Sequence, residues 1–117
     1  MKILVVGGGA RENAIVDALI SGGAEVYCVM PMLNPGIKKA AKGYAIGDTE
    51  NVSEIAELAK KNEIKLAVIG PEAPLAAGIV DELEKNGVGC IGPTKELAKL
   101  ETSKGFTRNL LKKYNID

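Results

Sequence analysis

The chain has 117 residues, 15 basic against 15 acidic and no histidine, so its formal net charge is zero. That length suits one compact domain, and the charge balance lacks the basic excess by which nucleic-acid binders neutralise phosphates. Without histidine or clustered thiolates a conventional zinc site is not expected, and no stretch approaches the ~20 apolar residues of a membrane span. Hydrophobic residues make up 46% but aromatics only 3%, so the core must be aliphatic.

Short apolar runs alternate with helical patterns. Lys2–Val6, Glu25–Met30 and Lys65–Ile69 read as strands buried on both faces, Val88–Ile91 as a weaker one, and Tyr44–Ile46 as one more short strand. Met1 leads directly into the first strand, with no leader pattern. With the lack of a membrane span, this points to a cytoplasmic protein. Ala14, Ile15, Ala18 and Leu19 recur at helical spacing before Gly22-Gly23 ends the segment. Asn51 followed by Glu54 resembles a capping box for a helix with Val52, Ile55, Ala56 and Ala59 inward. Pro74 suits the first turn of a helix that buries Leu75, Ile79, Val80 and Leu83 and stops at Asn86-Gly87. Ser103 would cap a last helix with Phe106, Leu110, Leu111 and Tyr114 inward. Alternation of this kind predicts an α/β fold: an open parallel sheet with helices on both faces. Cys28 and Cys90 lie inside strand patterns and read as small buried thiols.

Ligands of such sheets sit beyond the carboxyl ends of the strands, and three unusual segments fall there. After the first strand comes Gly7-Gly8-Gly9-Ala10-Arg11-Glu12-Asn13. Its glycines allow close backbone approach, and the following helix offers N–H groups to an anion such as a phosphate. As a dinucleotide fingerprint it is incomplete: Gly7 and Gly9 fit, but Glu12 stands at the third glycine position, and Met30 ends the second strand where a ribose-binding acid is expected. A plain strand-to-helix turn, with Arg11 and Glu12 as a solvated pair, is the competing reading. Asn34-Pro35-Gly36 after the second strand reads as an ordinary turn. In Gly70-Pro71-Glu72-Ala73-Pro74-Leu75, two prolines stiffen a connection that holds Glu72 at a strand end. A carboxylate accepts hydrogen bonds only and so suits paired sugar hydroxyls; a contact to the helix N-terminus is the alternative. Near the end, Lys104, Arg108 and Lys112 share a helical face, in a locally basic region from Lys95 to Asp117. Such a stripe is either solvated surface or a face toward polyphosphate on a neighbouring domain.

Taken together, Ile3–Glu12 (ILVVGGGARE), Val68–Leu75 (VIGPEAPL) and Ile91–Phe106 (IGPTKELAKLETSKGF) resemble glycinamide ribonucleotide synthetases, the phosphoribosylamine–glycine ligases, in order and spacing. The resemblance implies a Rossmann-like N-terminal domain preceding an ATP-grasp domain. Residues 1–102 would be the substrate-binding domain and 103–117 a helix leading toward the ATP-grasp domain. It also implies a reaction: glycine, activated by ATP with Mg²⁺ (or Mn²⁺) as an acyl phosphate, is attacked by the nitrogen of 5-phosphoribosylamine in purine biosynthesis. Carried over, Gly9, Ala10, Arg11, Glu12 and Glu72 would hold phosphoribosylamine or the product glycinamide ribonucleotide. Asn34, Pro35 and Gly36 resemble the family's Pro-Gly-Asn loop loosely, and Lys104 matches a basic residue that reaches the nucleotide phosphates. Asn13 stands where many members carry His, which removes any inherited proton-transfer role there. The chain stops before the family's ATP lid and acidic metal ligands. It would therefore carry no catalytic residue, bind neither ATP nor metal by itself, and depend on the remaining ATP-grasp and C-terminal domains. Nucleic acid and membrane are not expected partners. A stand-alone NAD-binding domain is the rival reading, and a structural module without a ligand is a third.

Overall fold

The computed structural model describes residues 2–71, 74 and 77–91. Within them, β1 (Lys2–Val6), α1 (Ala10–Ser21), β2 (Glu25–Met30), α2 (Pro35–Ala40), β3 (Gly43–Ile46), α3 (Val52–Lys61), β4 (Leu66–Ile69), α4 (Ile79–Lys85) and β5 (Gly89–Ile91) follow one another. All strand pairs are parallel, in the order β3-β2-β1-β4-β5. This is the α/β, Rossmann-like arrangement expected from the alternation of strands and helices.

The apolar strand runs are explained by the two faces they must satisfy. Successive side chains of a strand point to opposite sides of the sheet. Ile3 and Val5 of β1, with Cys28 of β2 and Val68 of β4, pack against Ile15, Val16 and Leu19 of α1 and Ile37 of α2. Leu4 and Val6, with Ala67 and Ile69, pack on the other side against Ile55 and Ala59 of α3 and Leu83 of α4. Helices therefore cover both faces, and the central strands have no solvent side on which a polar residue would be tolerated.

Three local expectations are corrected. In α1 the inward residues are Glu12, Ile15, Val16 and Leu19, while Ala14 is exposed. Turning the helix this way buries Val16, a larger apolar side chain than alanine, and carries Glu12 into the interior. A helix also opens at Pro35, where a simple turn was expected. Asn34 caps it, its Oδ1 accepting from the N–H groups of Gly36 (2.9 Å) and Ile37 (3.3 Å). The signal was present as Asn followed by Pro at the first helical position. Finally, one helix does not run from Pro74 to Asn86. Pro74 has helical backbone, but Ala77 and Gly78 form a turn, with Gly78 left-handed at φ 86°, and α4 starts at Ile79.

The Asn51–Glu54 expectation holds in part. Asn51 Oδ1 accepts from the Glu54 N–H (3.4 Å), but the Glu54 carboxylate returns to the Asn51 side-chain amide (2.8 Å) and not to its backbone. Among the described residues no helix is long and apolar enough to cross a membrane. The division at 102/103 and the final helix lie outside the described residues.

Candidate functional site

The strand order reverses at β1, which has β2 on one side and β4 on the other. Connections from the two neighbours leave in opposite directions there, opening a crevice at the carboxyl ends of the strands. The turn after β1 and the turn after β4 therefore meet, although they lie far apart in the chain. Backbone bonds from Gly7 N–H to the Val29 carbonyl (2.8 Å) and from Gly70 N–H to the Val6 carbonyl (3.0 Å) extend the sheet pairing into both turns.

Glu12 joins them. Its Oε1 accepts the Gly9 N–H at 2.9 Å, half of a capping box whose other half a glycine N-cap has no side chain to make. The side chain is only 8% exposed, so Glu12 is not part of a solvated pair with Arg11, which does lie on the surface of the first turn. The Glu12 side chain is lodged against three glycines. A Cβ built on Gly7 would lie 2.8 Å from its Cγ, one on Gly9 3.2 Å from Oε1, and one on Gly70 2.6 Å from Oε2 and 2.7 Å from Cγ. Gly7 adds a backbone reason, since its φ of +124° is one that L side chains rarely adopt. Gly70 was read as part of the proline-stiffened segment; its role as one wall of the glutamate slot depends on strand order and had no local signal.

Asn34 ties the turn after β2 to the same rim. While its Oδ1 caps α2, its Nδ2 donates to the Gly8 carbonyl at 2.9 Å, with a longer approach to Gly9 at 3.5 Å. Gly36 lies directly under Asn13 Oδ1, so a side chain there would have to push the Asn13 amide aside, and Asn13 Nδ2 donates to Asp17 Oδ2 at 3.2 Å. Of the residues expected at the site, Gly9, Ala10, Arg11, Glu12, Asn34, Pro35 and Gly36 are thus brought to one rim. Glu72 and Lys104 lie outside the described residues, although Gly70 places the start of the Glu72 segment beside Glu12. A separate cavity of about 90 Å³, beside Val29, Ile46, Asp48 and Glu54, is not lined by any of these rim residues.

Beneath the rim, the Cys28 thiol donates to the Gly7 carbonyl at 3.2 Å. Burial, reinforced by the Glu12 carboxylate, pushes this thiol up to about 12; burial and then Glu84 push Cys90 up to about 11. An unfolded thiol ionises near 8.5. Above that pH the unfolded chain sheds protons the folded chain keeps, so stability is full below about 8.5 and falls as pH rises toward the folded values. Urea unfolding between about pH 9 and 11 is expected to show this decline. In Cys28→Ala the decline should be shallower by about 1.4 kcal/mol per pH unit. Equal slopes for the two proteins would contradict the burial of a neutral thiol at this position.

Residues 1–101 match the family model described as "Phosphoribosylglycinamide synthetase, N domain". The chain belongs to this family. It is 53% identical over its whole length to a phosphoribosylamine–glycine ligase of Methanobrevibacter smithii, and 50% identical over 99% of its length to that of Pyrococcus horikoshii. In both cases it spans only 26% of the relative's length. Among solved structures, phosphoribosylglycinamide synthetase from Anaerococcus prevotii superposes with a TM-score of 0.65 over 97% of this chain and 29% of that one, at 16% identity. N5-carboxyaminoimidazole ribonucleotide synthetase from Thermotoga maritima gives 0.64 over 96% and 30%, at 18% identity. These likenesses confirm the fold of the N domain. The stand-alone NAD-binding reading is not favoured.

Proposed function

We propose that this synthetase N domain supplies the phosphoribosylamine-binding wall of an ATP-dependent ligase that joins 5-phosphoribosylamine to glycine in purine biosynthesis. The observation that supports this most directly is the meeting of the Gly7–Glu12 turn and Gly70 at the switch point of the sheet. Gly9, Ala10, Arg11 and Glu12 would line one side of the sugar, and Glu72, two residues beyond Gly70, would accept hydrogen bonds from the ribose hydroxyls on the other. Asn34, Pro35 and Gly36 hold the third loop against this rim and would close the site from the side of β2.

ATP and Mg²⁺ (or Mn²⁺) would be bound elsewhere in the whole enzyme. Among the described residues no group of three or more His, Cys, Asp or Glu is placed to hold a metal ion. Lys104, on the segment leading toward the ATP-grasp domain, would reach the nucleotide phosphates. The ATP-grasp and C-terminal domains would supply the rest of the cleft. Positioning across a cleft of this kind contributes to catalysis only when both walls are present, so the 117-residue chain by itself should show no ligase activity.

The test is an NMR titration of the chain with glycinamide ribonucleotide. Weak saturable shifts are expected in the Gly7–Arg11 turn and around Gly70. Glu72→Ala should weaken binding by about tenfold, the loss of hydrogen bonds to a charged acceptor. A titration to millimolar ligand with no shift at either turn would overturn the assignment.

A further inference from the structure

The glycine turn of this domain begins as a dinucleotide-binding turn does, with Gly7 and Gly9 in place, and departs at one residue, Glu12. In a dinucleotide turn the second glycine lets the backbone approach a pyrophosphate, and the pyrophosphate rests on the helix N-terminus. Here the same space already holds an anion that belongs to the protein. The Glu12 carboxylate accepts the Gly9 N–H at 2.9 Å, and its Cγ and carboxyl group fill the slot between Gly7 and Gly70. An approaching phosphate would lose that N–H, meet the bulk of the side chain and face its negative charge at close range in a partly buried place.

We propose that Glu12 is a specificity-determining residue that closes the α1 N-terminus to phosphate and pyrophosphate groups, so that the rim admits a ligand only through hydrogen-bond donors such as hydroxyl or amine. The glutamate stands in for the bound phosphate, and the three glycines that would otherwise make room for a nucleotide make room for it. This explains why the chain has glycine at three positions around one side chain. It concerns what the rim rejects and is independent of whether the proposed sugar ligand binds.

Two substitutions test it in the full 117-residue chain, with inorganic pyrophosphate and then NADH as probes. Glu12→Gln retains the carbonyl oxygen that accepts the Gly9 N–H, since glutamine serves a capping box as well as glutamate, but removes the charge. Glu12→Gly removes charge and bulk and completes the three-glycine pattern. In the wild-type chain, amide signals of Gly8–Arg11 should show no saturable shift with either probe at millimolar concentration. Both variants should acquire one with pyrophosphate, tighter than wild type by about tenfold or more, because a like charge in contact with the anion has gone. Glu12→Gly should also acquire one with NADH. Should Glu12→Gly fail to fold, Glu12→Gln decides. Its thermal midpoint should stay near wild type while its pyrophosphate affinity rises, a separation that a purely structural role for Glu12 would not produce. Pyrophosphate binding at these amides in the wild type, or no gain in folded Glu12→Gln, would overturn the proposal.

Discussion

Gly7→Ala should be among the most destabilising single substitutions in this domain, costing about 3 kcal/mol: roughly 1–3 for a side chain at an unfavourable positive φ and roughly 1–3 for overpacking against Glu12. The backbone of Gly7 sits at φ +124°, and a Cβ there would meet three atoms of Glu12 within 2.9 Å. Gly70→Ala should cost about 1–3 kcal/mol from overpacking alone, because a Cβ at Gly70 meets the same carboxyl group at 2.6–2.7 Å. The two can be separated by removing their shared obstacle. In a Glu12→Ala background the penalty of Gly70→Ala should nearly vanish, whereas Gly7→Ala should keep the part that comes from its own backbone. Urea unfolding of the single and double variants measures this as a coupling energy, expected at about 1–2 kcal/mol for residues in direct contact. Strict additivity of Gly70→Ala with Glu12→Ala would mean that the carboxylate does not occupy the slot described.

Asn34→Ala is the second large effect. It removes two different interactions at once: the cap of α2 and the bond that fastens this loop to the Gly8 carbonyl. Loss of an asparagine cap costs about 1 kcal/mol and loss of the cross-loop bond about 1 kcal/mol, so a drop of about 2 kcal/mol is expected. Asn34→Asp divides the total. Aspartate caps a helix as well as asparagine does, but it has no N–H to give and sets a carboxylate oxygen against the Gly8 carbonyl. It should keep α2 intact while releasing the glycine turn. Amide hydrogen exchange reads the difference: faster exchange at Gly8–Arg11 in both variants, but at Gly36 and Ile37 only in Asn34→Ala. If Asn34→Asp matched wild type at Gly8–Arg11, the cross-loop bond would contribute nothing to holding the rim.

Much of this architecture could be read along the chain, because the features concerned are local. A strand covered on both faces must be apolar at every position, and Leu4-Val5-Val6 and Leu66-Ala67-Val68-Ile69 have no polar interruption. Such runs separated by helical patterns leave a parallel sheet as the economical solution. The short helix at Pro35 was equally local, written as an asparagine cap followed by proline, but a six-residue helix leaves too little apolar periodicity to be recognised beside a turn. The break at Gly78 was masked by the i, i+4 spacing of Leu75, Ile79 and Leu83, which runs across it in the sequence.

The amino-acid sequence by itself determined the fold class, the two-faced aliphatic core and the likeness to the synthetase family, since each depends on residue types at short spacing or on motifs in fixed order. Only the tertiary structure decided what Glu12 and Asn34 do. Glu12 could equally have been a solvated residue of a first helical turn. Its burial follows from the rotation of α1 that hides Val16 and from β4 lying beside β1, which brings Gly70 across to form the far wall. Asn34 likewise reaches Gly8 only because β2 lies on the other side of β1. Strand order is a global outcome of packing both faces of the sheet, and no local pattern at residues 12, 34 or 70 records which neighbour each will meet.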